Sequence, residues 1–258
     1  MSRSSRDPEG RMPLREHLVE VRKRLVLSAI GIVLGAVVGW IVYDSVFTVL
    51  QEPLLEAAAR RDALIGLNFD GVATAVDMKV KVSLFLGVLL SSPWWLYQLF
   101  AFITPGLTSV EKRYAFGFIA AAVPLFLAGI ALAWYLLPRA VALLNEFVPA
   151  GTSNLIGAQM YLGFVMRLML AFGIAFLVPV IMVALNMMGV VRASTWIAGW
   201  RWAVLVSFLF AAIMTPTPDV LTMFWVALPI CALYFAAYGL SVLHDRRVDK
   251  RDAARLAL

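Results

Sequence analysis

Six stretches of this chain are almost wholly apolar, and five of them are long enough to cross a bilayer as a helix. A helix needs about 20 apolar residues to span roughly 30 Å of hydrocarbon, and no lipid-exposed backbone other than helix or closed barrel satisfies its own hydrogen bonds there. The stretches are Leu25–Tyr43, Met78–Ile103, Tyr114–Leu137, Met160–Met188, the short Trp202–Met214 and Val220–Leu243. Composition removes the alternative of an unusually large soluble core. Only 15% of the 258 residues are charged, against about 25% in a soluble domain. The chain therefore reads as an all-α polytopic membrane protein with six transmembrane helices at 25–243. A basic N-terminal segment (1–24) precedes them and a polar tail (244–258) follows.

The N-terminal segment carries Arg3, Arg6, Arg11, Arg15, Arg22, Lys23 and Arg24. The spacing Leu14, Leu18, Val21, Leu25 predicts an amphipathic interfacial helix leading into the first span. A basic start before an apolar run imitates a signal peptide, but the run is long and no small-residue cleavage site follows, so it reads as an uncleaved anchor. With six spans, Lys112, Arg113, Arg192, Arg201 and the basic tail fall on the same side as the N-terminus. The opposite side keeps only Arg60, Arg61, Lys79, Lys81 and Arg139, with Arg167 inside a span. That bias places both termini in the cytoplasm. The net charge of +6 is thus an orientation signal, and nucleic acid is not an expected partner.

Asp44–Val76 is expected to be a long polar connection with one helix-compatible piece (LLEAAARRDAL), and Pro138–Ala158 a second outer loop. Pro93, Pro124, Pro179 and Pro229 each lie within a span, which predicts kinked helices and a curved wall. The fifth span has thirteen uninterrupted apolar residues, about 20 Å of helix, and calls for snorkelling or local thinning. Arg167 reads as a snorkelling residue or as one paired with Asp77 or Asp219. Asn186-Met187-Met188 reads as plain packing.

Catalytic signatures are missing. No His lies in a span, no intramembrane Asp pair occurs, and there is no HExxH, GxSxG or phosphate loop. The single Cys231 excludes an intramolecular disulfide and a cysteine zinc site. Neither enzyme, cofactor nor metal is expected.

Three polar features remain: HLVEVRKR (17–24) at the mouth of the first span, Glu111 in the charged loop after TPGL, and TPTPD (215–219) on the other face. HLVEVRKR, YQLFAFITPGLTSVEKR closing the second span, FGIAFLVP in the fourth and TPTPD between the fifth and sixth resemble the TatC family. That family supplies the multispanning receptor subunit of the twin-arginine protein translocase. The likeness runs in consistent order from about residue 14 to 240.

The resemblance implies a concave, glove-like arrangement of six helices in the bacterial cytoplasmic (inner) membrane. It implies recognition of twin-arginine signal peptides on folded precursors, TatA and TatB type single-span partners, self-association in a receptor complex, and transport driven by the proton-motive force. Carried onto this chain, it assigns signal-peptide contact to Glu20, Arg22, Phe102 and Glu111. Pro53 and Asp219 take structural or partner roles. Leu177, Phe235 and Met223 stand where the family commonly has polar or acidic residues, so the intramembrane polar patch is thinner here.

The chemistry is sound without the family. A guanidinium takes a carboxylate bidentately, each charge-assisted bond contributing roughly 1.5–3 kcal/mol, and lysine lacks the planar fork. Residues alone also allow ordinary interfacial ion pairs, Glu20 with Arg24 and Glu111 with its basic neighbours. A small-solute transporter built from the same kinked helices, or a scaffold, is the alternative in another class.

Overall fold

The computed structural model describes residues 14–59, 65–69, 71–103, 109–146, 154–214 and 220–256. Among them, nine helices and two short strands follow in the order α1 (Leu14–Ile41), α2 (Tyr43–Ala59), β1 (Ile65–Asn68), α3 (Val72–Leu90), α4 (Ser92–Ile103), α5 (Ser109–Glu146), β2 (Asn154–Gly157), α6 (Ala158–Met187), α7 (Ala193–Ala198), α8 (Trp200–Met214) and α9 (Val220–Leu256). Four stretches are long and apolar enough to cross a membrane: Leu18–Ile41, Gly117–Val141, Ala158–Met187 and Met223–Arg251. The helix α8 is a shorter apolar one, about 22 Å long. The remaining apolar run is shared by α3 and α4. The architecture is that of an all-α polytopic membrane protein. The chain divides into two compact units, residues 1–44 with 79–123, and 45–78 with 124–258.

In the first unit, α1 presents Gly31, Gly35 and Gly39, spaced four residues apart. A Cβ at Gly31 would run into the Trp94 ring, one at Gly35 would meet the Gly87 carbonyl oxygen at 2.9 Å, and one at Gly39 the Ser83 carbonyl oxygen at 2.7 Å. The backbones of α1 and α3 therefore approach as small-residue helices do in lipid, where close van der Waals contact replaces the hydrophobic drive. At the break between α3 and α4, Pro93 sits in the first turn of α4, where its missing N–H has no intrahelical use. Carbonyls at the end of α3 receive side-chain donors, at Gly87 O beside the Ser91 N–H. Ser91 Oγ donates to Gly87 O at 2.6 Å and Trp95 Nε1 to Val88 O at 2.9 Å. Lys79 Nζ lies 5.1 Å from the ring centres of both Trp40 and Tyr43, at the far end of α1.

In the second unit, α6 is the buried centre. Gly129 of α5 meets the backbone of Phe172 and Gly173, and Gly173 in turn lies under the Phe126 ring. Phe172 meets Phe210 of α8 edge-on at 5.6 Å, and Phe208 meets Phe224 of α9 at 5.0 Å. The outer connections depart from the sequence reading, and α2 already starts at Tyr43, at the mouth of the first of them. The outer loop expected from Pro138 begins later, because α5 runs on to Glu146. Leu136, Leu137, Ala140 and Val141 are all buried, so one packed face carries the helix past the proline. Within the two outer connections, Ile65–Asn68 and Asn154–Gly157 pair as a parallel two-stranded ribbon. Four residues each is too short to leave an alternation signal.

Candidate functional site

The site residues of the first unit sit on α1, α4 and α5. Glu20 lies in the second turn of α1, part-buried. Its Oε1 accepts from Arg24 Nε at 3.0 Å and from Arg24 Nη2 at 2.7 Å. Arg24 Nη1 also donates to Gln98 Oε1 of α4 at 3.2 Å. Three residues further along α1, Leu27 O accepts from Trp94 Nε1 at 2.8 Å. The pairs 24 with 98 and 27 with 94 make α1 and α4 antiparallel, which carries Glu20 to about the level of Phe102. Phe102 is half-buried in the last turn of α4. Arg22 is exposed on the outer side of α1.

Glu111 belongs to the first turn of α5. Only residues 104–108 separate α4 from α5, so the turn bearing Glu111 starts from the end of α4 that Phe102 occupies. Deeper in the unit, Phe100 of α4 stacks on Phe118 of α5 at 5.9 Å. Three elements thus bring Glu20, Phe102 and the Glu111 backbone to one end of the unit. Gln98 was missed by the sequence reading. Its signal was available: a neutral amide in an apolar, aromatic helix needs a polar partner, and it is 3% exposed.

Pro53 lies in the second unit, buried inside α2. Proline cannot bond the carbonyl one turn back, and the next carbonyl, Leu50 O, accepts from Tyr161 OH of α6 at 3.1 Å. Asp219 and the rest of TPTPD lie outside the described residues. Leu177 is buried in α6, Phe235 is exposed on α9 and Met223 is half-buried. Leu177 is 4% exposed, so a carboxylate at this position would be buried, which is costly without a hydrogen-bonding or charged partner. Asp77 accepts from Gln159 Nε2 at 3.1 Å, whereas Arg167 donates through Nε to Gly163 O at 2.9 Å, the snorkelling arrangement. Asn186 is more than packing: its Nδ2 donates to Val191 O at 3.0 Å and to Asp245 Oδ1 at 2.9 Å. Asp245 Oδ2 caps α7 by accepting from Ala193 N at 2.8 Å. No group of His, Cys, Asp and Glu able to hold a metal ion occurs among the described residues.

Fold and site together define a multi-pass helical membrane protein with an acidic group set among cations at the end of one helical unit. The family model of the Sec-independent protein translocase protein (TatC) matches residues 16–229. A TatC protein of Xylanimonas cellulosilytica is 59% identical over 96% of this chain and 90% of its own length. One from Rothia mucilaginosa is 36% identical over 97% and 86%. The crystal structure described as "Twin Arginine Translocase Receptor- TatC" superposes with a TM-score of 0.72 at 30% identity, covering 89% of this chain and 99% of that one. The same receptor in DDM gives 0.73. This chain belongs to the TatC family and is a Sec-independent protein translocase subunit. The family is one of protein transport, not of catalysis.

Proposed function

We propose that this subunit is the receptor core of a twin-arginine protein translocase in the bacterial cytoplasmic membrane. Glu111 and Glu20 take the paired arginines of a signal peptide at the cytoplasmic face, with Phe102 and Arg22 beside them. Folded precursors are the cargo and the proton-motive force is the drive. TatA and TatB type single-span subunits assemble on it, and Pro53 and Asp219 serve structural or partner roles.

The observation supporting this reading is that Glu20, Phe102 and the first turn of α5, with Glu111, share one end of one compact unit. The related crystal structure is that of a twin-arginine translocase receptor. A planar guanidinium pair matches carboxylates in a way two ammonium groups do not, and the surrounding cations repel weakly complementary basic segments. The test is capture of the purified protein by an Arg-Arg signal peptide and by its Lys-Lys twin, with photo-crosslinking to Glu111→Ala and Glu20→Ala. Capture by Arg-Arg alone, with crosslinks lost in Glu111→Ala, supports the reading. Equal capture by both peptides, or undiminished crosslinks in both variants, defeats it.

A further inference from the structure

The polar tail is continuous with the sixth span. The helix α9 runs unbroken from Val220 to Leu256, so the rotation of its apolar part fixes where each tail residue stands. Successive residues of an α-helix turn by about 100°. Asp245 sets the reference, because its carboxylate meets Asn186 of α6 and the Ala193 N–H of α7 and so points into the unit. From Asp245, Asp249 stands at about 40°, Arg246 at about 100°, Lys250 at about 140°, Arg247 at about 200° and Arg251 at about 240°. The extension is polarised: Asp245 and Asp249 turn toward α6 and α7, the four cations away from them. All four cations are exposed, and none is held in an ion pair among the described residues.

The same face continues into the apolar part. Leu243, Leu240 and Ala236 fall at about 160°, 220° and 180° and are exposed. Ser241 and Ala237, at about 320° and 280°, are 0% and 2% exposed. The stripe that α9 leaves open to lipid therefore ends in the cation cluster. Val220–Leu243 is about 36 Å of helix against roughly 30 Å of hydrocarbon, so Arg246 and Arg247 stand at headgroup level. Lys250 and Arg251 lie one turn above, and their long stems reach back. Arg247 is four residues from Arg251 and three from Lys250, spacings that put Cβ atoms about 5–6 Å apart. Leu243, Leu240 and Ala236 descend about 6, 10 and 16 Å below Arg247, which keeps them in the adjoining leaflet. The Lys/Arg balance that marks this side as cytoplasmic depends on the number of cations. It does not account for the face they occupy.

The geometry points to a site for an anionic phospholipid of the cytoplasmic leaflet on this face of α9. Its phosphate lies among Arg246, Arg247, Lys250 and Arg251, and its acyl chains run along Leu243, Leu240 and Ala236. A cluster of Lys and Arg directly beyond a span draws anionic headgroups, and a guanidinium fork takes two phosphate oxygens. An acidic soluble peptide would meet the cations and leave the apolar stripe unused.

The test uses the full-length protein in detergent. Native mass spectrometry counts retained lipid during titration with phosphatidylglycerol or phosphatidylcholine. It compares the parent, the triple variant Arg247→Gln, Lys250→Gln, Arg251→Gln, and the swap Arg247→Asp with Asp249→Arg, which keeps the net charge and moves a cation to the far side. Melts in inorganic phosphate, against chloride of equal ionic strength, test for a free-anion site. Unchanged helicity and an unchanged lipid-free melting temperature certify each variant's fold. The expected result is preferential retention of phosphatidylglycerol, with its half-saturating concentration raised about tenfold or more in the triple variant and raised also in the swap. Equal retention of both lipids by the parent, or undiminished retention by the triple variant, overturns the proposal. So does parent-like retention by the swap, which would reduce the site to net charge. Stabilisation by inorganic phosphate that the triple variant loses would assign the cluster to a free anion and overturn it as well. Loss of a co-purifying Tat subunit from the triple variant, with phosphatidylglycerol retention intact, would assign the face to a protein partner instead.

Discussion

Arg24 holds a single oxygen of Glu20 with two of its nitrogens, at 2.7 and 3.0 Å, and uses a third to reach Gln98. A guanidinium of the chain itself thus occupies the carboxylate to which a guanidinium of a signal peptide is proposed to bind. The pair is part-exposed and four residues apart on one helix. Such pairs contribute about 0.2–1 kcal/mol, too little to bar a bidentate competitor. Arg24 therefore both orients Glu20 and competes for it.

The consequence is measurable. Arg24→Gln removes the competitor and keeps a polar side chain toward Gln98. Titration of the solubilised protein with a fluorescent Arg-Arg peptide should show binding tightened by about two- to fivefold, the factor equivalent to losing a competing pair of up to about 1 kcal/mol. Unchanged affinity would mean that Glu20 serves Arg24 rather than the peptide. The same titration on Glu20→Gln should show weakening, since the amide keeps the shape and loses the charge.

A second expectation concerns glycines of opposite kind in one unit. A Cβ at Gly87 would run into Ile32 O and fall 2.8 Å from Ala36 N, both backbone atoms that cannot rotate away, whereas Gly117 has nothing within 4 Å. Gly87→Ala should destabilise by about 1–3 kcal/mol, as overpacking does. Gly117→Ala, on open helix, should stabilise by about 0.5–1 kcal/mol. Thermal melts in detergent read both signs. A Gly87→Ala protein as stable as the parent would contradict the close approach of α1 and α3.

The apolar runs and their ends were legible because bilayer length is a coarse, strong signal. The membrane class follows from it, whereas the second apolar run, expected as one kinked span, parts at Pro93 into α3 and α4. What was not legible depends on contacts between distant residues. Pro138 looks like a stop until Leu136, Leu137, Ala140 and Val141 are seen to be buried on one face. The pairing of Ile65–Asn68 with Asn154–Gly157 joins segments far apart in sequence that carry no alternating pattern. The spacing Gly31, Gly35, Gly39 was in plain view and identifies a helix-packing face by small-residue logic. Glu20 and Glu111 stood out as acids at span ends, but the hold of Arg24 on both Glu20 and Gln98 depends on the meeting of α1 with α4.

The last expectation concerns the joint at the end of α6. Asp245 accepts two hydrogen bonds, from Asn186 Nδ2 and from the Ala193 N–H that opens α7. It ties α9, α6 and α7 together where α9 continues beyond its apolar part. Asp245→Ala leaves the Ala193 N–H without its acceptor and Asn186, 2% exposed, with Val191 O as its one remaining partner. Losing one partner of a buried polar group costs about 1–3 kcal/mol, and the loss is local because the apolar packing of α6 is untouched. Hydrogen exchange should therefore quicken at Ala193 by about tenfold or more while amides in the middle of α6 keep their protection. Asp245→Asn retains one carbonyl oxygen as an acceptor and should lie between the two. Equal exchange at Ala193 in all three proteins would show that the carboxylate does not hold the helix end.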